Sequence, residues 1–289
     1  MQFLVYILVF PMLWLISILP FRLFYWFSDL VYILIYRIIG YRKKTVRKNI
    51  ALTLPYLDEK ERRIIEKKFY QHLSDMFLEM IKPLTISHKE IEKRFKITNI
   101  DLLKEFEKKG KNTILLSSHY ACWEWLVTVN KHTKFSFVAV YKKIANIHFD
   151  RMIKNIRTRF NAELVETSKT IPLIRANENL EQLFMYAFIS DQSPKIDRAT
   201  HWYPFMGIEV PVHTGAEMLA RRYNLNVLFA DVKKVKRGYY EVTFHNITED
   251  AKSLPKFEIT ERYMQLVEKQ IYNAPEYYLW THKRWKHKR

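Results

Sequence analysis

Cysteine is nearly absent from this chain. One residue, Cys122, stands among 289, which excludes an internal disulfide framework and any cysteine-rich zinc module. Glycine is almost as scarce, at five residues. No Gly/Ser linker, internal repeat or low-complexity tract divides the chain, and no G-x-S-x-G elbow supplies a serine nucleophile of the hydrolase kind. Acidic residues are outnumbered, 30 against 48 Lys and Arg, leaving a formal net charge of +18. Such a balance asks for an anionic partner: nucleic acid, an anionic membrane surface or an acidic protein. The first 21 residues carry no charged side chain at all.

That uncharged opening is the first positive signal. Apolar character resumes from Leu23 to Tyr36, but Pro11 interrupts the first run and neither half is a secure transmembrane helix. With no Lys or Arg before it and no small-residue cleavage site after it, the run is a poor signal peptide. Residues 1–40 read as a membrane-anchoring or membrane-associated helical segment, with a buried core helix as the alternative. Five cations follow in Arg42-Lys43-Lys44-Thr45-Val46-Arg47-Lys48, a juxtamembrane basic patch that faces the cytoplasm and anionic headgroups. A second basic cluster, His282 to Arg289, holds Trp285 within it. Beside a lipophilic N-terminus, a membrane surface explains both clusters better than nucleic acid does.

From residue 58 the pattern becomes that of a folded domain. Asp58 with Glu61 three positions on predicts a capped amphipathic helix over 58–82. Strands are then expected at 94–100, 113–118, 135–141, 163–167, 184–189, 226–232 and 239–245. Helices are expected at 101–109, 121–130, 147–160, 174–183, 211–223 and 257–271. The alternation implies an α/β fold with a largely parallel central sheet flanked by helices. Ligands bind beyond the carboxyl ends of such strands, where His119, Tyr141 to Lys143 and Asp191 fall.

The stretch Ser117-Ser118-His119-Tyr120-Ala121-Cys122-Trp123-Glu124 carries the chemistry. With His119 at a strand end and Glu124 in the first turn of the next helix, Glu124 is expected to accept from one imidazole nitrogen while the other faces substrate. Cys122 reads as a small apolar side chain packed inward rather than as a nucleophile, which needs a lowered pKa and a base in reach. Zinc ligation by His119, Cys122 and Glu124 lacks a second ligand cluster.

Several further stretches occur in order: Arg47 to Pro55 with Asn49; His119 with Glu124; Tyr141-Lys142-Lys143 with Asn146; Arg157 and Arg159; Asp191-Gln192; Phe205-Met206-Gly207; and Trp280 to Trp285. The ordered set resembles the late acyltransferase family of bacterial lipid A biosynthesis over nearly the whole chain, with H-x(4)-D/E at its centre. The resemblance implies a glycerolipid-acyltransferase-like fold, with residues 41–289 as the acyltransferase domain. It implies acyl transfer from an acyl carrier protein thioester, or acyl-CoA, to a hydroxyl of a lipid A precursor, without an acyl-enzyme or a metal. His119 is then the base and Glu124 its orienting carboxylate. Arg157 stabilises the oxyanion, with Arg159 or Lys142 as rivals. Asn146, Asp191 and Gln192 join Lys142 and Arg159 in shaping the substrate pocket. No cofactor is implied beyond the acyl donor. The expected partners are acyl carrier protein, an anionic lipid acceptor and the cytoplasmic face of the inner membrane, met by a monomer that binds no nucleic acid. Residues 165–170, V-E-T-S-K-T, lack the F-P-E-G-T-R block of glycerolipid acyltransferases, which favours the lipid A branch without settling the acceptor. A non-catalytic protein bound to anionic membranes is the reading from another class, and the intact His119/Glu124 pair argues against it.

Overall fold

The structure, a computed structural model, describes residues 2–289. Two apolar helices come first, α1 (Gln2–Ile18) and α2 (Phe21–Tyr32), and a π-helical turn over Ile33–Ile38 prolongs the second. Then come α3 (Lys43–Thr53), α4 (Glu59–Glu79), α5 (His88–Arg94), β1 (Phe95–Ile97) and α6 (Ile100–Lys108). The alternating core runs β2 (Thr113–Ser117), β3 (Ser136–Tyr141), α7 (Ile147–Thr158), β4 (Glu163–Glu166), α8 (Thr170–Asn177) and β5 (Phe184–Ile189). A hairpin of β6 (Trp202–Phe205) and β7 (Ile208–Pro211) precedes α9 (Gly215–Arg222), β8 (Asn226–Lys236), β9 (Tyr239–Thr248) and α10 (Glu258–Asn273).

Seven strands form one sheet in the order β1-β9-β8-β2-β5-β3-β4. Every pairing within it is parallel except β8 with β9. The central strand β2 is buried at every position, as expected of a parallel sheet covered on both faces. The expected α/β architecture is therefore present, and the capping box at Asp58 and Glu61 is formed in both directions.

The differences are local. Arg94 ends α5 instead of opening a strand. Helix α8 starts at Thr170 and stops at Asn177, earlier than the expected 174–183. Pro172 stands in its first turn, where a missing N–H goes unneeded. The β6–β7 hairpin forms where no element is expected, turning at Met206 and Gly207 with φ of 55° and 75°. Pro211 ends β7, so the following helix begins only at Gly215.

The apolar helices pack on the domain through polar fasteners. Tyr25 Oη donates to the buried Glu79, which also accepts from Tyr240. Ser28 donates to Asp75, itself paired with Arg237 and Lys234. Gly238 completes this contact: its φ is +74°, and a Cβ there would lie 2.1 Å from the Tyr25 hydroxyl oxygen. Lys82 closes the C-terminal end of α1, donating to the Ser17 and Leu19 carbonyls that the helix leaves unpaired.

Candidate active site

Parallel register builds the centre of the site. Ser117 of β2 lies opposite Ile189 of β5. Two residues beyond each strand, His119 and Asp191 emerge side by side at the carboxyl edge. Asp191 Oδ1 lies 2.7 Å from His119 Nδ1 and also accepts from the His119 backbone N–H at 3.1 Å. Burial alone would push the Asp191 carboxyl up, but the His119 ring and both contacts outweigh it and hold the group below the usual carboxylate range. With Nδ1 engaged, Nε2 remains for the cleft, into which the partly exposed ring faces.

Glu124 does not orient this ring, contrary to the expectation from spacing. No helix starts directly after His119. Tyr120 pairs back with Tyr278, Ala121 takes a left-handed φ of 51°, and a 3-10 segment begins only at Trp123. Such backbone strain in a non-glycine residue costs about 1–3 kcal/mol and gathers at functional sites. The turn carries Glu124 away from the imidazole to Arg157, whose Nη2 donates to Glu124 Oε2 at 2.8 Å. The Trp123 indole donates to the other oxygen at 3.2 Å and stands edge-on to His119. Arg157 keeps its Nε without a partner, so one donor remains uncommitted beside the cleft.

That cleft is about 640 Å³, within the usual range for small-molecule sites. His119, Trp123, Glu124, Lys142, Arg157 and Gln192 line it, and its walls are otherwise largely apolar. Its floor is the sheet itself, where Ala139 and Ala187 are register partners and Leu115 lies beside Ala187. Two alanines side by side, where a buried sheet usually carries branched residues, leave the hollow. His213, which the sequence reading passed over, stands at its rim. A lone histidine inside the helix expected over 211–223 offered no signal.

Two expected substrate contacts lie elsewhere. Asn146 caps α7, accepting from the His148 and Phe149 amides and donating to the Gln2 carbonyl. Arg159 donates to the carbonyls of Pro83 and Ile86. Both side chains serve backbone groups rather than the cleft. Cys122 is buried, and burial followed by the Glu79 and Glu124 charges pushes its thiol well up, so it packs as an apolar residue. Asn49 explains the Arg47 to Pro55 stretch: it donates to the Trp280 and His282 carbonyls and ties α3 to the C-terminal segment.

Comparison with known proteins gives this geometry its context. A family model described as bacterial lipid A biosynthesis acyltransferase matches residues 1–287. The lipid A biosynthesis lauroyltransferase of Escherichia coli K12 is 25% identical over 278 residues, covering 95% of this chain and 89% of that protein. The palmitoleoyltransferase of the same organism is 23% identical over 248 residues, 85% of this chain and 79% of that one. A lipid A biosynthesis acyltransferase of Haemophilus influenzae is 24% identical over 253 residues, 86% and 79% of the two chains. The protein is an acyltransferase, and its chain belongs to the bacterial lipid A biosynthesis acyltransferase family.

Proposed function

We propose that this enzyme moves a fatty acyl chain from an acyl carrier protein thioester, or acyl-CoA, to a hydroxyl of a lipid A precursor. The His119–Asp191 contact at an apolar cleft carries the reading. Asp191 fixes the tautomer with the proton on Nδ1, so Nε2 takes the proton of the acceptor hydroxyl. The oxygen attacks the thioester carbon, and the negative charge that develops on the carbonyl oxygen meets Arg157, which Glu124 holds in place. Collapse breaks the carbon–sulfur bond, and the imidazolium returns its proton to the leaving thiolate. The residues beside His119 offer no rival nucleophile. Ser117 and Ser118 donate to the Ala230 carbonyl and to Gln270, and the Cys122 thiol is buried.

The acyl chain lies over Ala139 and Ala187. Ala187→Leu is expected to lower the kcat/KM ratio of long over short acyl donors by about tenfold or more, while transfer of the short donor persists. A measured chain-length series with an unchanged profile would place the chain elsewhere. The test of the reaction itself is transfer from acyl carrier protein thioester to a lipid A precursor in detergent, and failure of the wild-type protein to transfer removes the reading.

The membrane face is read from exposure. Helix α1 leaves Leu4, Leu8 and Met12 bare at four-residue spacing, and α2 with its π-helical extension leaves Leu23, Trp26, Leu30 and Leu34 bare. Soluble surfaces rarely expose so much contiguous apolar area. Exposed Arg22, Arg37, Lys44 and Lys48 flank it, as suits anionic headgroups on the cytoplasmic face of the inner membrane. Among the described residues no single helix is long and apolar enough to cross a membrane; residues 21–38 and Lys43–Thr53 qualify only as a pair bent by 87°. Leu8 is 72% exposed and Trp26 62%, so the double variant Leu8→Glu, Trp26→Glu should fold. It is expected to lose most of its flotation with phosphatidylglycerol vesicles, and undiminished flotation would contradict this face.

A further inference from the structure

The C-terminal segment closes the back of the His119–Asp191 pair. Leu279 N–H donates to the His119 carbonyl at 3.1 Å, and Tyr278 bridges Tyr120. Ser193, two residues after Asp191, donates its hydroxyl to the Arg284 carbonyl at 2.6 Å. The Arg284 side chain turns inward and is fully buried, its guanidinium over the Phe205 ring. One nitrogen, Nη1, reaches the Pro211 carbonyl at 3.1 Å and the Ser193 hydroxyl at 3.5 Å. Nε and Nη2 have no partner, and neither does Asp191 Oδ2. A guanidinium this deep, without a contacting carboxylate, needs an opposite charge nearby to be tolerated.

The groups facing Asp191 come from four parts of the chain. They are His119 after β2, His213 after β7, Tyr263 of α10, and Tyr278, His282 and Arg284 of the terminal segment. Burial, more than any neighbouring charge, pushes His282 down to about 4, so it is neutral at pH 7; His213, exposed at the cleft rim, is also shifted below the usual histidine value. Burial pushes both tyrosines well up, so they are neutral too. Arg284 is the one fixed positive charge in the set.

We propose that Arg284 is a positioning residue acting through Asp191: its buried charge balances the carboxylate and so keeps His119 unprotonated before the acceptor binds. This rests on His119 being the base. Without Arg284, the uncompensated Asp191 charge favours a second proton on the ring, and a ring that already holds it cannot accept another. With Arg284 in place the carboxylate is balanced, the ring stays neutral, and Asp191 still stabilises the imidazolium formed during transfer.

The experiment reads the ring directly. Diethyl pyrocarbonate modifies only unprotonated imidazole, and His119 lines an open cleft, so its modification rate against pH, followed by peptide mass spectrometry, gives a titration midpoint without substrate. In Arg284→Met the midpoint is expected to rise by about one to two pH units, whereas Arg284→Lys, which keeps the charge, leaves it in place. The acidic limb of kcat/KM should move with it, so that the Arg284→Met deficit at pH 7 narrows at pH 9. An unmoved midpoint in a folded Arg284→Met protein, with activity lowered equally at every pH, overturns the proposal. If Arg284→Met does not fold, Arg284→Gln, which keeps a neutral donor for the Pro211 carbonyl, replaces it; its midpoint must rise in the same way, and an unmoved midpoint overturns the proposal equally. Because the modification needs no acyl donor, absence of acyl transfer would remove the proposed function and leave this test standing.

Discussion

Asp191→Asn is expected to lower kcat/KM for acyl transfer about 10⁴-fold with the fold intact, as loss of an orienting carboxylate does in other histidine-based sites. That factor corresponds to about 5.4 kcal/mol of transition-state stabilisation. The cause is specific. Asp191 Oδ1 receives both the backbone N–H and the ring of His119. An amide in its place can donate to Nδ1, which moves the proton to Nε2 and removes the lone pair from the cleft. His119→Ala should lose activity to a comparable degree. Glu124→Gln should lose less, about 10²-fold, because Glu124 works at one remove by holding Arg157. The order matters more than the values. Near-normal transfer in Asp191→Asn together with abolished transfer in Glu124→Gln would return the orienting role to Glu124.

Acid is expected to destabilise the fold through His72. Burial and then the Lys234 ammonium push this ring well below the usual histidine range. The geometry agrees, because Lys234 Nζ donates to Nδ1 at 3.2 Å and leaves that nitrogen no room for a proton. An unfolded histidine takes up a proton near pH 6.5, and the folded ring does not. The stability contribution is therefore complete above about pH 6.5 and falls by about 1.4 kcal/mol for each pH unit below it. His72→Asn keeps an acceptor for Lys234 but no longer titrates. The comparison is urea unfolding of both proteins from pH 8 to pH 5. Its expected outcome is a wild-type advantage at pH 8 that shrinks steadily below pH 6.5. A constant gap across that range would show that the ring is protonated in the folded state.

Composition and order alone determined a good deal here. The 3.6-residue and strand-like periods placed most elements of the α/β domain within a few residues, and Asp58 with Glu61 announced the cap of α4. His119 stands at a strand end, the family resemblance adds Arg157, Lys142 and Gln192, and all four reach the cleft. These features are legible because they depend on neighbours in the chain: a cap, a run of branched residues, a strand end. The β6–β7 hairpin was not, since strands this short leave too few residues for alternation to register.

Partnership across the sheet is the other kind of fact, and only the tertiary structure decided it. Glu124 lies five positions from His119 and Asp191 lies 72, yet Asp191 holds the ring. No local pattern states that β5, rather than another strand, lies beside β2, nor that Ser117 meets Ile189. That choice comes from how the whole sheet buries its two faces. In the same way, the left-handed turn at Ala121 sends Glu124 to Arg157, and the terminal segment brings Arg284 behind Asp191 from 93 residues further along. The chain by itself named a base and an acid; hydrogen bonding between neighbouring strands, which ignores sequence distance, determined which acid serves the base.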